Sequence, residues 1–109
     1  MDFRNDTPDD AMRFGDAAVL AKAMSDENRL QILMRLSEGQ KSVSQLVEET
    51  RLSQPLVSHH LRELRHALLV SVERKGAFVY YRLSNDSIPE IIFFLRSLAK
   101  SLLRSKKGL

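Results

Sequence analysis

The chain has 109 residues, a formal net charge of +3, 43% apolar residues and 28% charged residues. That size fits one domain with a modest core, and the composition is globular rather than disordered. Trp and Cys are both absent, which argues against a carbohydrate cleft or aromatic cage. The lack of Cys also excludes a disulfide scaffold, a Cys-bearing zinc site and a thiol redox switch.

Seventeen basic residues against 14 acidic ones give a mild bias toward polyanions, doubled in a dimer. No apolar stretch is long enough to span a membrane. The opening MDFRNDTPDD is acidic and polar, unlike a secretory signal. The expectation is a cytoplasmic protein with no membrane partner. It forms a single domain over residues 1–109, with flexible ends at 1–9 and 104–109.

Residues 10–24 read as a first helix, with Ala11, Phe14, Ala17, Ala18, Ala21 and Met24 on one apolar face. Gly15 weakens it. Ser25 is placed to cap a second helix, with Asp26 and Glu27 in its first turn. Leu30, Leu33, Met34 and Leu36 supply its core face, and Gly39 ends it. Ser42-Val43-Ser44-Gln45 fits a capping box that opens a short third helix through Thr50. After the tight link Arg51-Leu52-Ser53, Ser53 caps a fourth helix with Pro55 in its first turn, running to about Ala67. Two short helices joined by about three residues have helix-turn-helix spacing.

The runs Leu69–Arg74 and Phe78–Leu83 are rich in β-branched and aromatic residues, with Gly76 between them, and predict a β-hairpin. Ser87-x-x-Glu90, with Pro89 in the first turn, opens a last helix to about Leu103. Its apolar positions Ile88, Ile91, Ile92, Leu95, Leu98, Ala99 and Leu102 form a seam-like stripe. Such a stripe suits a partner helix, although it could also close over its own core. The expected fold is mostly α with a β-hairpin wing (α+β): a winged helix-turn-helix in the order α-α-α-α-β-β-α.

On a helical wheel, Val57, Leu61, Leu64 and Leu68 of the fourth helix cluster within roughly 60° and form its buried side. His60 falls at the core edge. Opposite lie Gln54, Pro55, Ser58, His59, Arg62, Arg65 and His66, with no acid among them. Amide, hydroxyl and imidazole groups near the helix start suit base edges in a major groove. Arg62 and Arg65 suit phosphates. Arg74 and Lys75 at the wing tip suit an adjacent minor groove or backbone, or are an ordinary solvated turn. Ser42, Ser44 and Gln45 open the third helix, where free N–H groups either anchor a phosphate or are simply capped.

Three segments together resemble the ArsR/SmtB family of winged helix-turn-helix regulators. They are Met24–Leu33, Leu52-Ser53-Gln54-Pro55-Leu56-Val57-Ser58-His59-His60-Leu61-Arg62-Glu63-Leu64, and Leu68 through Leu83. The resemblance covers roughly residues 15–100. It implies a homodimer assembled through the first and last helices, with Phe14, Ala18, Ala21, Ile91, Ile92, Leu95, Leu98, Ala99 and Leu102 in the interface. It implies binding to double-stranded DNA at an inverted repeat near a promoter, usually as a repressor. Base-contacting positions of the family fall on Gln54, Pro55, Ser58 and His59; Pro55 departs from the small polar residue common there.

Many members of that family sense metals. The third helix here has no Cys-x-Cys pair. The last-helix site falls on Asp86, Ile88, Ala99 and Leu102, one ligand of four, whereas zinc needs three or four. His59 and His66 stand seven residues apart, about 10 Å along the helix, too far to chelate one ion. The expectation is no metal and no cofactor. An unknown small-molecule effector in the dimer, control by abundance or by competition with another DNA-binding protein, and a non-standard ligand set stay open. No Gly-rich phosphate loop, HExxH or GxSxG is present, so an enzyme is not expected. The rival reading is a protein-interaction module.

Overall fold

The computed structural model describes residues 13–107. The expectations for residues 1–9, for a helix start at residue 10, for Ala11 and for residues 108–109 lie outside them. The elements follow the expected order: α1 Phe14–Ala23, α2 Glu27–Leu36, α3 Val43–Thr50, α4 Gln54–His66, β1 Val70–Lys75, β2 Phe78–Leu83 and α5 Ile88–Lys107. α5 runs four residues beyond Leu103, so Arg104–Lys107 are helical.

The helix starts show how local chemistry sets the boundaries. Asp26, not Ser25, caps α2: its Oδ1 accepts from Arg29 N–H at 3.1 Å. Ser25 Oγ instead donates back to Lys22 O at 2.6 Å, so it closes the turn that ends α1. The Arg29 side chain locks the same corner, with Nε donating to Ala23 O at 2.6 Å. The capping box of α3 is complete: Gln45 N–H donates to Ser42 Oγ and Ser42 N–H donates to Gln45 Oε1. Ser53 caps α4 through Leu56 N–H. Before α5, the expected Ser87 box gives way to an Asx turn in which Asn85 Oδ1 accepts from Ser87 N–H at 2.8 Å.

The core lies where α2, α3, α4 and the start of α5 meet. Ile32, Leu33, Leu36, Leu46, Val57, Leu61, Leu64 and Ile92 are buried there. Ile92 therefore belongs to the protomer's own core, at 1% exposure, and not to the interface surface where it was expected. Leu68 is the opposite correction. It is 79% exposed because α4 ends before it, at a Schellman turn. There Leu69 N–H bonds to Leu64 O and Leu68 N–H to Arg65 O, which places Leu68 in the left-handed region at φ 64°.

β1 and β2 pair antiparallel from Val70↔Leu83 to Lys75↔Phe78, with only Gly76 and Ala77 between them. Gly76 at φ 63° supplies the positive dihedral that a two-residue hairpin needs at its first position. Lys41 and Tyr81 exchange backbone bonds of 3.0 and 2.8 Å, which ties the hairpin to the chain just before α3. Lys41 Nζ also meets Glu49 at 3.0 Å. That hydrogen bond raises the Lys41 pKa and keeps the ammonium engaged within the fold.

Candidate nucleic-acid interface

α4 buries Val57, His60, Leu61 and Leu64 and turns the other side outward. Gln54, Pro55, His59, Arg62, Arg65 and His66 are exposed, and Ser58 is half-buried. Proline at the first turn and serine at the cap let the helix begin abruptly, so Gln54 and Pro55 stand at its leading end. The seven residues of the sequence-predicted face thus share one surface. No acidic residue interrupts it.

His60 is buried at 4% exposure rather than sitting at the core edge. Neither ring nitrogen has a hydrogen-bond partner. Burial lowers its pKa, opposed in part by the Asp26 carboxylate. The neutral ring packs inward behind the outer face, beside His59, whose ring centroid is 5.5 Å away.

The hairpin lies alongside this helix. A groove of about 560 Å³ between them is lined by Ser58, Arg62, Arg65, His66 and, from β2, Tyr81. Two guanidinium groups, an imidazole, a hydroxyl and a phenol around one groove can hold a phosphate of a nucleic-acid backbone. Tyr81 was not singled out from the sequence. The period of two in β2 puts it on the face with Val79 and Leu83, but only the tertiary fold brings that face to α4.

Arg74 and Lys75 are exposed at the wing tip, as expected. Lys75 Nζ sits 5.8 Å from the centre of the Tyr80 ring, and Arg74 extends free of any carboxylate among the described residues. Ser42 Oγ and Gln45 Oε1 each accept from the other residue's backbone N–H in the capping box. Of the three α3 candidates, Ser44 is the one left exposed without that engagement.

A second surface lies away from α4. α1 buries only Ala23, and Phe14, Ala18 and Ala21 are exposed. On α5, Ile91, Leu95, Leu98, Ala99 and Leu102 are exposed, so only the Ile88 and Ile92 part of the seam closes over the protomer's own core. Between α1 and α5 runs a largely apolar groove of about 1030 Å³ lined by Leu20, Met24, Leu68, Ile91 and Leu95 among others. Among the described residues, no group of three or more His, Cys, Asp or Glu is placed to hold a metal ion. Nor is any helix there long and apolar enough to cross a membrane.

A helix-turn-helix whose second helix turns a polar, acid-free face outward, with a basic hairpin beside it, defines a winged helix-turn-helix DNA-binding regulator. Residues 26–72 match the profile of the bacterial regulatory proteins of the arsR family. The chain is 40% identical over 82 residues to the transcriptional activator HlyU of Vibrio cholerae, covering 75% of this chain and 76% of HlyU. It is 33% identical over 81 residues to the arsenical resistance operon repressor of Staphylococcus aureus, covering 74% and 78% of the two chains. Its fold is similar to that of a homodimeric winged helix-turn-helix DNA-binding domain from Mycobacterium bovis. The TM-score is 0.74 at 25% identity, with 88% of this chain and 89% of that one covered. The chain belongs to the ArsR family, whose members are transcriptional regulators and not enzymes.

Proposed function

We propose that this chain is a homodimeric regulator that reads an inverted repeat with one α4 per protomer and represses the adjoining promoter. The observation that carries this reading is the outer face of α4, on which Gln54, Pro55, His59, Arg62, Arg65 and His66 are exposed, Ser58 is half-buried and no acid appears. In this reading Gln54, Pro55, Ser58 and His59 meet base edges. Arg62 and Arg65 hold phosphates in the groove they share with Tyr81. Arg74, Lys75 and the start of α3 at Ser42, Ser44 and Gln45 meet the flanking backbone.

The dimer is supported by the exposed apolar faces of α1 and α5. Leu98 and Leu102 are 56% and 61% exposed, and a contiguous patch of such residues marks an association surface. The M. bovis domain of similar fold is a homodimer. The regulator works without the family's usual metal sites, because Ile88, Ala99 and Leu102 stand where ligands would be needed.

The test is selection of duplexes from a random pool, followed by gel shifts across salt concentrations. The expected product is an inverted repeat with half-sites about 34–36 Å apart, one helical turn. Its affinity should fall steeply as salt rises. Failure to enrich any sequence refutes the reading. An activating role is the second reading, favoured by the similarity to HlyU, a transcriptional activator. A reporter driven by the bound promoter separates the two: expression of the chain lowers its output under repression and raises it under activation.

A further inference from the structure

Twelve large apolar side chains are exposed among the described residues. Ten belong to α1 and α5; those on the Leu95, Leu98 and Leu102 side of α5 face a second copy in the reading above, whereas Phe93 points to the other side of that helix, and Leu68 lines the groove between α1 and α5. The twelfth is Phe78, 64% exposed at the tip of the wing and remote from that surface in the chain. It is the first residue of β2, paired with Lys75 across the two-residue turn. Its ring is 6.4 Å from that of Tyr80. Lys75 stands over Tyr80, and Arg74 is the next residue back along β1. A phenyl ring in water, on a narrow tip beside two cations, has no role within the protomer's core.

We propose that Phe78 is a wedge that enters the DNA minor groove and partly unstacks one base step, with Arg74 and Lys75 neutralising the phosphates on either side. This rests on the DNA-binding reading above. Charge complementarity selects the occupant, because the tip is cationic and DNA lines both edges of the minor groove with phosphate. Geometry agrees. Tyr81 of the same strand lines the α4 groove, and Phe78 lies three residues nearer the tip, about 10 Å, on the opposite face of the hairpin, so its ring points away from that groove. The half-width of a major groove about 12 Å wide is about 6 Å, so a tip at that reach passes its edge toward the minor groove. Apolar side chains inserted there kink the duplex by about 20–90° toward the major groove. Pyrimidine–purine steps yield most easily, so the wedge adds sequence preference outside the bases that α4 touches.

The experiment uses the full chain and the duplex it selects from a random pool, with 2-aminopurine placed in turn at each position flanking the α4 contacts. Binding is expected to raise fluorescence at one step per half-site and to bend the duplex in a circular-permutation gel assay. Phe78→Ala should abolish both signals and weaken binding about tenfold, a stacking-sized loss, with selection at the α4-contacted bases intact. Phe78→Leu, still an apolar wedge, should keep part of the fluorescence rise. Unchanged fluorescence and bending in Phe78→Ala, or no rise with the unaltered chain, overturns the wedge while leaving DNA recognition standing. If the unaltered chain selects no duplex, the DNA reading itself falls and the wedge with it.

Discussion

His60 Nε2 lies 3.8 Å from Asp26 Oδ1, close enough for a charge to be felt and too far for a hydrogen bond. Asp26 is committed elsewhere: it caps α2, and the Arg29 N–H it accepts is the main cause that lowers its own pKa. His60 is thus a neutral imidazole buried beneath α4 without a partner for either nitrogen.

Stability should therefore decline as solutions become mildly acidic. Desolvation lowers the folded-state pKa of His60 below 6.5, against the pull of Asp26 and Glu63 and with the help of Arg29 and His59. The unfolded chain binds the proton first, so the folded state loses ground as pH falls below 6.5. The contribution of the neutral ring is complete above pH 6.5 and is lost as pH drops through the depressed folded-state value. Urea midpoints measured from pH 7.5 to 5 at one protein concentration should fall, and His60→Leu should flatten that slope. A slope unchanged in His60→Leu would place the acid sensitivity elsewhere.

The two kinds of contact proposed for α4 should separate in binding measurements. Arg62→Ala removes one phosphate partner per protomer, so affinity should drop on all sequences and the log–log salt slope of the dimer should shrink by about 1.8, that is about 0.9 for each protomer. Ser58→Ala or His59→Ala should cost about 1–3 kcal/mol on the selected duplex and much less on random DNA. Equal losses on both kinds of DNA would remove Ser58 and His59 from base recognition.

Leu68 is a strained residue whose relief should stabilise the protein. It holds φ 64° because the Schellman turn after α4 requires a left-handed residue there. An L-residue in that region costs about 1–2 kcal/mol, and glycine's extra unfolded-state freedom offsets roughly 0.5–1 kcal/mol of the relief. Leu68→Gly should raise unfolding stability by roughly 0.5–1 kcal/mol, whereas Leu68→Val should lower it. A destabilised Leu68→Gly would mean that the exposed side chain makes a contact in the dimer worth more than the strain.

These residues show which parts of the protein are legible in a sequence. The capping box at Ser42 and Gln45 is readable because all its partners lie within four residues. The acid-free face of α4 is readable because one helical period defines it. Leu68 defeats the wheel because a wheel assumes that the helix continues, and nothing at a non-glycine residue signals a left-handed turn. The cap of α2 falls one residue later than the sequence predicts, on Asp26 and not Ser25, because the serine hydroxyl bonds back to Lys22 O. Ile92 and Tyr81 are settled only by long-range packing. One apolar stripe on α5 serves two neighbours, with Ile88 and Ile92 facing inward and Leu95 and Leu98 outward. The groove around Tyr81 exists only once the hairpin folds back on α4.

The outward half of that stripe gives the most direct test of assembly. Leu98 is 56% exposed and is not one of the buried core residues, so Leu98→Glu should leave the protomer folded. Placed in the interface between two copies of α5, the same carboxylate would have to be desolvated beside its symmetry mate, a like-charge contact that association cannot absorb. Sedimentation should then show the 12.5 kDa single chain where the unaltered protein sediments at twice that mass. DNA binding should change with it. Each α4 would bind one half-site alone, losing the gain in effective concentration that a linked pair enjoys, about 100-fold or more in affinity. A Leu98→Glu protein that still dimerises would move the interface off this seam, toward α1 alone.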